Sequence, residues 1–293
     1  MKAALLPDRG VIKVAGGDAR TFLNGLLTTD VTKVTPERAR FGALLTPQGK
    51  IIADCIVVEA PAATGGGFFL DVPRALVPTL LGKLRLYKLR AKIACDDVSA
   101  ELGVMAAWDG DGTSKSGLLY ADPRLPQLGH RIILPPQNVS DAIAELGAEH
   151  VDASAYDAHR IALGVPRGGL DFTYGEAFPH ETDMDQLAGV DFDKGCYVGQ
   201  EVVSRMQHRG TARTRIVPVT AGDFVPDAGM PVTAAGKTVG TLGSHVGAKG
   251  LAMLRLDRVA DARAAGVPLL AGGIAIEPHK PSWANFDWPG ETN

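Results

Sequence analysis

The chain is poor in cysteine. Its 293 residues include three, Cys55, Cys95 and Cys196, and no two of them form a CxxC pair. An odd, sparse set excludes a disulfide framework, and without CxxC neither a zinc ribbon nor a thioredoxin-like dithiol is available. An all-cysteine iron–sulfur site needs about four thiolates, which this chain alone cannot supply. Long apolar runs are also missing. Nothing approaches the ~18 residues of a membrane span. The opening Met1-Lys2-Ala3-Ala4-Leu5-Leu6-Pro7-Asp8-Arg9 has too short an apolar run for a signal peptide and lacks transit-peptide character. The expectation is a soluble, cytoplasmic protein with no membrane partner. Nor is there an excess of one charge: 30 Lys+Arg against 33 Asp+Glu leave a net −3. That disfavours a constitutive nucleic-acid binder, although a local basic patch remains compatible with it. There is no tandem repeat and no low-complexity tract.

What is present is ordinary globular material. Apolar residues make up 45% and charged residues 22%, enough apolar surface to exclude disorder as the main state. At about 150 residues per domain the length suggests two domains. Gly10–Val14 reads as a strand. Asp18 is placed to cap a helix carrying Phe22, Leu23, Leu26 and Leu27 on one face. Thr46-Pro47-Gln48-Gly49 reads as a turn into a strand from Lys50 to Glu59. Gly65-Gly66-Gly67 reads as a hairpin loop, followed by a helix near 75–86 and a strand near 89–94. Two more helices are expected, capped by Ser140 and Ser154, the second stopping at Gly164. Strand, hairpin, helix and strand together are an α+β signature. From about Ile216 short apolar runs alternate with glycine turns, the spacing of a small β-barrel or sandwich. The division expected is 1–212, an α+β region, and 213–293, a barrel with an aromatic tail of Trp283, Phe286 and Trp288 that docks back onto the body.

The densest segment runs from Asp191 to Gly210. Val198, Val202, Val203 and Met206 share a helical face, so Cys196 falls in a glycine-flanked loop just before a helix N-terminus. Lys194 is two residues away. A helix N-terminus and nearby cations favour thiolate, and Gly195 and Gly199 allow close backbone approach. The residues alone leave two readings, a reactive thiol or a small core cysteine in a tight turn. Cys55, inside an apolar strand, and Cys95, at the end of one, read as structural. Lys83, Arg85, Lys88, Arg90 and Lys92 form a basic run. It suits a folate glutamate tail, an RNA phosphate or a solvated face with apolar stems.

Lys194-Gly195-Cys196-Tyr197-Val198-Gly199-Gln200-Glu201 resembles the K-G-C-[FY]-x-G-Q-E signature of the YgfZ/Iba57 family, which is related to the glycine-cleavage T protein, an aminomethyltransferase. Three further segments resemble the same family: Phe22–Val31, Pro47–Asp54 and Arg160–Pro166. The resemblance implies an α+β, T-protein-like folate-binding fold of three parts around a central pocket, with a C-terminal antiparallel β-barrel. It implies an accessory factor for iron–sulfur cluster assembly or repair. The cofactor implied is tetrahydrofolate, or a derivative, together with a transient iron–sulfur cluster shared with a partner. No stable metal site is expected. Cys196, Lys194 and Asp54 are the expected catalytic group, and Asp54, Asp183, Gln200, Glu201 and Arg205 the expected folate contacts. A carboxylate in the place of Asp54 can stabilise a developing iminium cation or move a proton; the alternative is a solvated strand residue.

Two positions depart from the pattern. Ala162 stands where the T protein has a pterin-gripping glutamate, which argues against aminomethyl transfer. Asp183 stands where many relatives have asparagine, keeping an acceptor but losing a donor. The partners implied are folate and iron–sulfur assembly or client proteins, with tRNA only indirectly. The alternatives are a folate-dependent one-carbon transferase centred on Asp54, a folate-dependent tRNA-modification factor, and a non-catalytic docking module.

Overall fold

The computed structural model describes residues 1–210 and 212–288. The chain separates into two compact units, Met1–Tyr156 with Leu187–Gln200, and Asp157–Gln186 with the residues from Glu201 on.

The first unit holds two five-stranded sheets. One is ordered Glu149–His150, Lys2–Leu5, Gly103–Trp108, His130–Leu134, Leu118–Ala121; only its first pair is parallel. The other is ordered Arg40–Leu45, Ile51–Glu59, Phe68–Pro73, Arg9–Ala15, Ala94–Asp97, antiparallel throughout. The helices Ala19–Leu26 and Val77–Tyr87 join the second sheet in one core, with Leu23, Leu27, Leu80 and Leu84 against Val57, Leu70 and Cys55. The i, i+3, i+4 spacing of those leucines is why these stretches are helical rather than extended.

The second unit contains a closed six-stranded antiparallel barrel: Thr214–Ala221, Lys249–Arg255, Lys237–Val246, Pro231–Ala234, Leu269–Ala271, Ile274–Pro278. Closure pairs every strand edge that an open sheet would leave exposed. The expected α+β fold with a C-terminal barrel is what the chain adopts. The aromatic tail docks within this unit. Trp288 is buried in the barrel core, and Trp283 Nε1 donates to the Leu163 carbonyl at 2.7 Å.

Local details differ from the sequence reading. The Asp18 carboxylate makes no cap hydrogen bond; it accepts instead from the Lys92 amide at 2.7 Å. Ser140 and Ser154 lie inside helices that begin at Val139 and Ala153. The strand expected over 89–94 begins only at Ala94, because Leu89 turns the chain with φ +44° and the Ala91 amide donates to the Lys88 carbonyl at 2.8 Å.

Candidate functional site

The loop carrying Cys196 is tied down on either side of the cysteine. Upstream, Lys194 is buried. Its ammonium donates to the carbonyls of Asn24 at 2.6 Å, Leu27 at 2.5 Å and Thr29 at 3.0 Å. Those carbonyls sit at and just past the end of the helix Ala19–Leu26, where carbonyls lack intrahelical partners and the dipole favours a cation. The same ammonium lies 5.0 Å from the centre of the Tyr197 ring. Burial pulls the Lys194 pKa down to about 8, against the opposing pull of Asp30 and Asp191. The cation expected to tune Cys196 thus directs its three donors to backbone carbonyls, and the structure makes it a positioning residue.

Downstream, Gly199 has φ +83°, and a Cβ there would stand 2.6 Å from the Thr46 carbonyl oxygen and 3.2 Å from Gly49 Cα. Only glycine lets the loop lie against the Pro47-Gln48-Gly49 turn. Tyr197 is buried between these two anchors, and burial pushes its hydroxyl up to about 12. Three of the segments singled out from sequence therefore meet in one place: Phe22–Val31, the 46–50 turn and the 194–201 loop. Between the anchors Cys196 is exposed, whereas Cys55 and Cys95 are buried. Burial raises the pKa of both inner thiols, which leaves them structural.

Asp54 lies half-buried on the strand Ile51–Glu59, in register with Ala43, and its charge helps raise the pKa of both Arg9 and Cys55. Gln200 is half-buried and begins the helix Gln200–Arg209; its Oε1 accepts from the Tyr197 amide at 3.4 Å. Glu201 and Arg205 face solvent on that helix and pair with each other at 2.7 Å, an exposed i,i+4 contact worth a few tenths of a kcal/mol at most.

Asp183 requires a correction as a folate contact. Its side chain is fully buried, so no ligand reaches it without rearrangement. It sits at φ +59°; Oδ1 accepts from Arg215 at 3.3 Å, and Oδ2 has no hydrogen-bond partner among the described residues. Arg215 gives its stronger bonds to Asp185, at 2.6 and 3.0 Å, and to the His180 carbonyl at 2.7 Å. Arg215 also lines a cavity of about 490 Å³ with His180, Gln207, Arg213 and Phe286. Asp183 acts through Arg215.

Burial holds the Asp183 pKa well above the ordinary carboxylate value, despite the opposing Arg215 charge. A carboxyl raised on folding contributes stability below its unfolded pKa near 4 and loses it as pH rises toward the folded value. Asp183→Asn, the neutral isostere, is therefore expected to match wild type near pH 4. At pH 8 it should be more stable by about 1 kcal/mol, or about 2–4 °C in Tm. Parallel thermal melts across pH check this; an Asn variant that is less stable at pH 8 would refute it.

Sequence reasoning missed the polar clamps. In the first unit Asp71 is fully buried between Arg9 at 2.6 Å and Arg131 at 2.9 Å, and Arg131 reaches on to Asp122 at 3.1 Å. In the second, Arg160 of the Arg160–Pro166 segment holds Asp157 at 2.7 Å, Asp171 at 2.9 Å and the Ser244 hydroxyl at 2.9 Å. Ala162 is exposed.

Comparison with known proteins gives consistent results. Residues 213–286 match the family of the CAF17 C-terminal beta-barrel domain. The "Iron-sulfur cluster assembly factor IBA57 homolog, mitochondrial" of Mycosarcoma maydis is 37% identical over 75% of this chain, which spans 57% of that relative's length. The human "Iron-sulfur cluster assembly factor IBA57, mitochondrial" is 31% identical, covering 87% of this chain and 77% of its own. The solved aminomethyltransferase T of the glycine cleavage system from Bartonella henselae superposes with TM-score 0.75 at 15% identity, over 98% of this chain and 87% of that one. That likeness shows the fold. The cytoplasmic expectation is overturned, since these relatives are named as mitochondrial. The expectation rested on nine N-terminal residues, and targeting segments are addresses separate from the folded body.

Proposed function

This chain belongs to the IBA57 family of iron–sulfur cluster assembly factors, and we propose that it serves cluster assembly by lending the Cys196 sulfur as one ligand to a cluster held mainly by a partner protein. The observation that carries this is the loop itself: one exposed cysteine between two anchors, while the other two cysteines are buried. On this reading the remaining ligands come from the partner; among the described residues there is no group of three or more His, Cys, Asp or Glu that could hold a metal. As the sulfur–iron bond forms, the thiol proton leaves to solvent, to which Cys196 is open. Lys194 and Gly199 keep that sulfur in place and prevent it from folding back into the core.

Tetrahydrofolate is the proposed cofactor, a carrier of one-carbon units. Asp54 and Gln200, both half-buried with polar atoms, would hold its ring. Ala162 weighs against the second reading, one-carbon transfer of the aminomethyl type, because an alanine cannot grip a pterin.

Two measurements test these readings. In cells depleted of the protein, the activities of iron–sulfur enzymes and of cluster-free enzymes are compared after complementation. Cys196→Ser is expected to restore less than about a tenth of the iron–sulfur activities, and Cys55→Ser and Cys95→Ser to restore most of them. Full rescue by Cys196→Ser would sink the ligand role and favour a docking module. Separately, anaerobic calorimetry with tetrahydrofolate is expected to show binding that weakens about tenfold or more in Asp54→Ala, the loss of one charge-assisted hydrogen bond, and persists in Cys196→Ser. No binding by the folded wild type would remove the cofactor from the proposal.

A further inference from the structure

Between Asp71 and Asp96 the chain has six cations, Arg74, Lys83, Arg85, Lys88, Arg90 and Lys92, and no Asp or Glu. The whole protein is net −3, so this is a strong local asymmetry. Five of the six cluster where the helix Val77–Tyr87 ends and turns. The helix buries Val77, Leu80, Leu81 and Leu84 against the sheet. Past that face the apolar pattern does not stop: Leu86 is 65% and Leu89 88% exposed. Leu89 also sits at φ +44°, a conformation a leucine adopts at a cost that glycine or asparagine avoids. A single exposed leucine is commonplace. Two of them three residues apart, one strained, and interleaved with cations along the chain, are not.

Among the described residues most of these cations have no acidic partner. Arg85 donates to the Cys95 carbonyl at 3.1 Å. None of Lys83, Lys88, Arg90 and Lys92 forms an ion pair among the described residues. Asp96 and Asp97 follow the run in the chain, and Asp18 meets it at the Lys92 amide. Asp18 is engaged by the Lys92 amide and Asp97 by the Ser99 amide.

We propose that this turn docks on an anionic phospholipid surface, with Leu86 and Leu89 entering the boundary between headgroups and acyl chains and Lys83, Arg85, Lys88, Arg90 and Lys92 meeting the phosphates. Apolar tips beside cations are the composition that interfacial binding uses. A nucleic-acid surface would offer stacking aromatics, and the one aromatic here, Tyr87, packs against the core. A protein interface core is depleted in lysine, whereas three of these five cations are lysines. No described helix can cross a membrane, and none is needed for peripheral docking.

Flotation of the full chain with vesicles tests this. Vesicles of phosphatidylcholine alone are expected to leave it behind, and vesicles containing phosphatidylglycerol to carry it up, reversibly with salt. Each cation near such a surface is worth about fivefold in partition, so Lys88→Glu/Arg90→Glu should lose at least about 25-fold. Leu86→Ser/Leu89→Gly should lose about a hundredfold, and its Leu89→Gly component relieves strain, so thermal melts should show a folded protein. Absence of wild-type flotation on anionic vesicles overturns the proposal. So does flotation unchanged by loss of both leucines. Binding of a single-stranded RNA oligonucleotide that depends on Lys88 and Arg90 while vesicles are ignored would assign the patch to nucleic acid instead.

Discussion

Lys194→Met is expected to lower the unfolding free energy by about 3–5 kcal/mol, the cost of stranding buried polar groups that lose their only charged partner. In a chain of this size that is a Tm fall on the order of 10 °C. Methionine keeps the length and an apolar contact with Tyr197, and removes the ammonium: its three donors and its charge over that ring. The carbonyls of Asn24, Leu27 and Thr29 then lose the ammonium that bonds all three. The effect has a pH signature. The folded pKa of Lys194, about 8 because of burial, lies below the ordinary lysine value, so between the two the unfolded chain binds more protons. Stability from this group therefore rises with pH through that window. The gap between wild type and Lys194→Met should be flat below pH 8 and widen from there toward the ordinary lysine pKa. Urea titrations at several pH values measure it. A methionine variant as stable as wild type, or a gap that narrows above pH 8, would show that the loop is held by something else.

The same interaction shows what a sequence displays and what it hides. The motif from Lys194 to Glu201 was legible because its residue types are unusual and closely spaced. The leucine-bearing helices and the glycine-punctuated barrel were legible because period and turn chemistry are local. What Lys194 binds was not, since backbone carbonyls have no residue type and lie 165 to 170 positions away. The Arg9–Asp71–Arg131 clamp was hidden likewise, its partners being 60 or more positions apart. Each cap assignment was locally reasonable, yet Asp18 was drawn to the amide of Lys92, a competitor 74 positions away. Asp183 was selected correctly as unusual, but its burial, which turns it from a ligand contact into a support for Arg215, is a tertiary property. Compartment is not a property of the folded body at all, and only relatives corrected it.

The two glycines of the motif separate fold from function. Gly199→Ala is expected to cost about 3 kcal/mol: roughly 1–2 for a side chain in the left-handed region, and the rest for the collision. The added methyl would meet the Thr46 carbonyl oxygen at 2.6 Å, Leu45 Cβ at 3.0 Å and Gly49 Cα at 3.2 Å. None of the three is the free end of a flexible side chain, and the turn that holds two of them is closed by the Gly49 amide donating to the Thr46 carbonyl and the Thr46 amide donating to the Lys50 carbonyl. Gly195 is the opposite case. It is exposed, and a Cβ there meets nothing within 4 Å, so Gly195→Ala should stay within about 0.5 kcal/mol of wild type. Thermal melts of both variants decide the structural half, and a Gly199→Ala protein as stable as wild type would refute the packing argument. The functional half follows from Gly195→Ala in the complementation assay. A variant that folds like wild type yet fails to restore iron–sulfur enzymes would place a partner or cluster directly against the backbone beside Cys196. A variant that restores them fully would confine that contact to the sulfur.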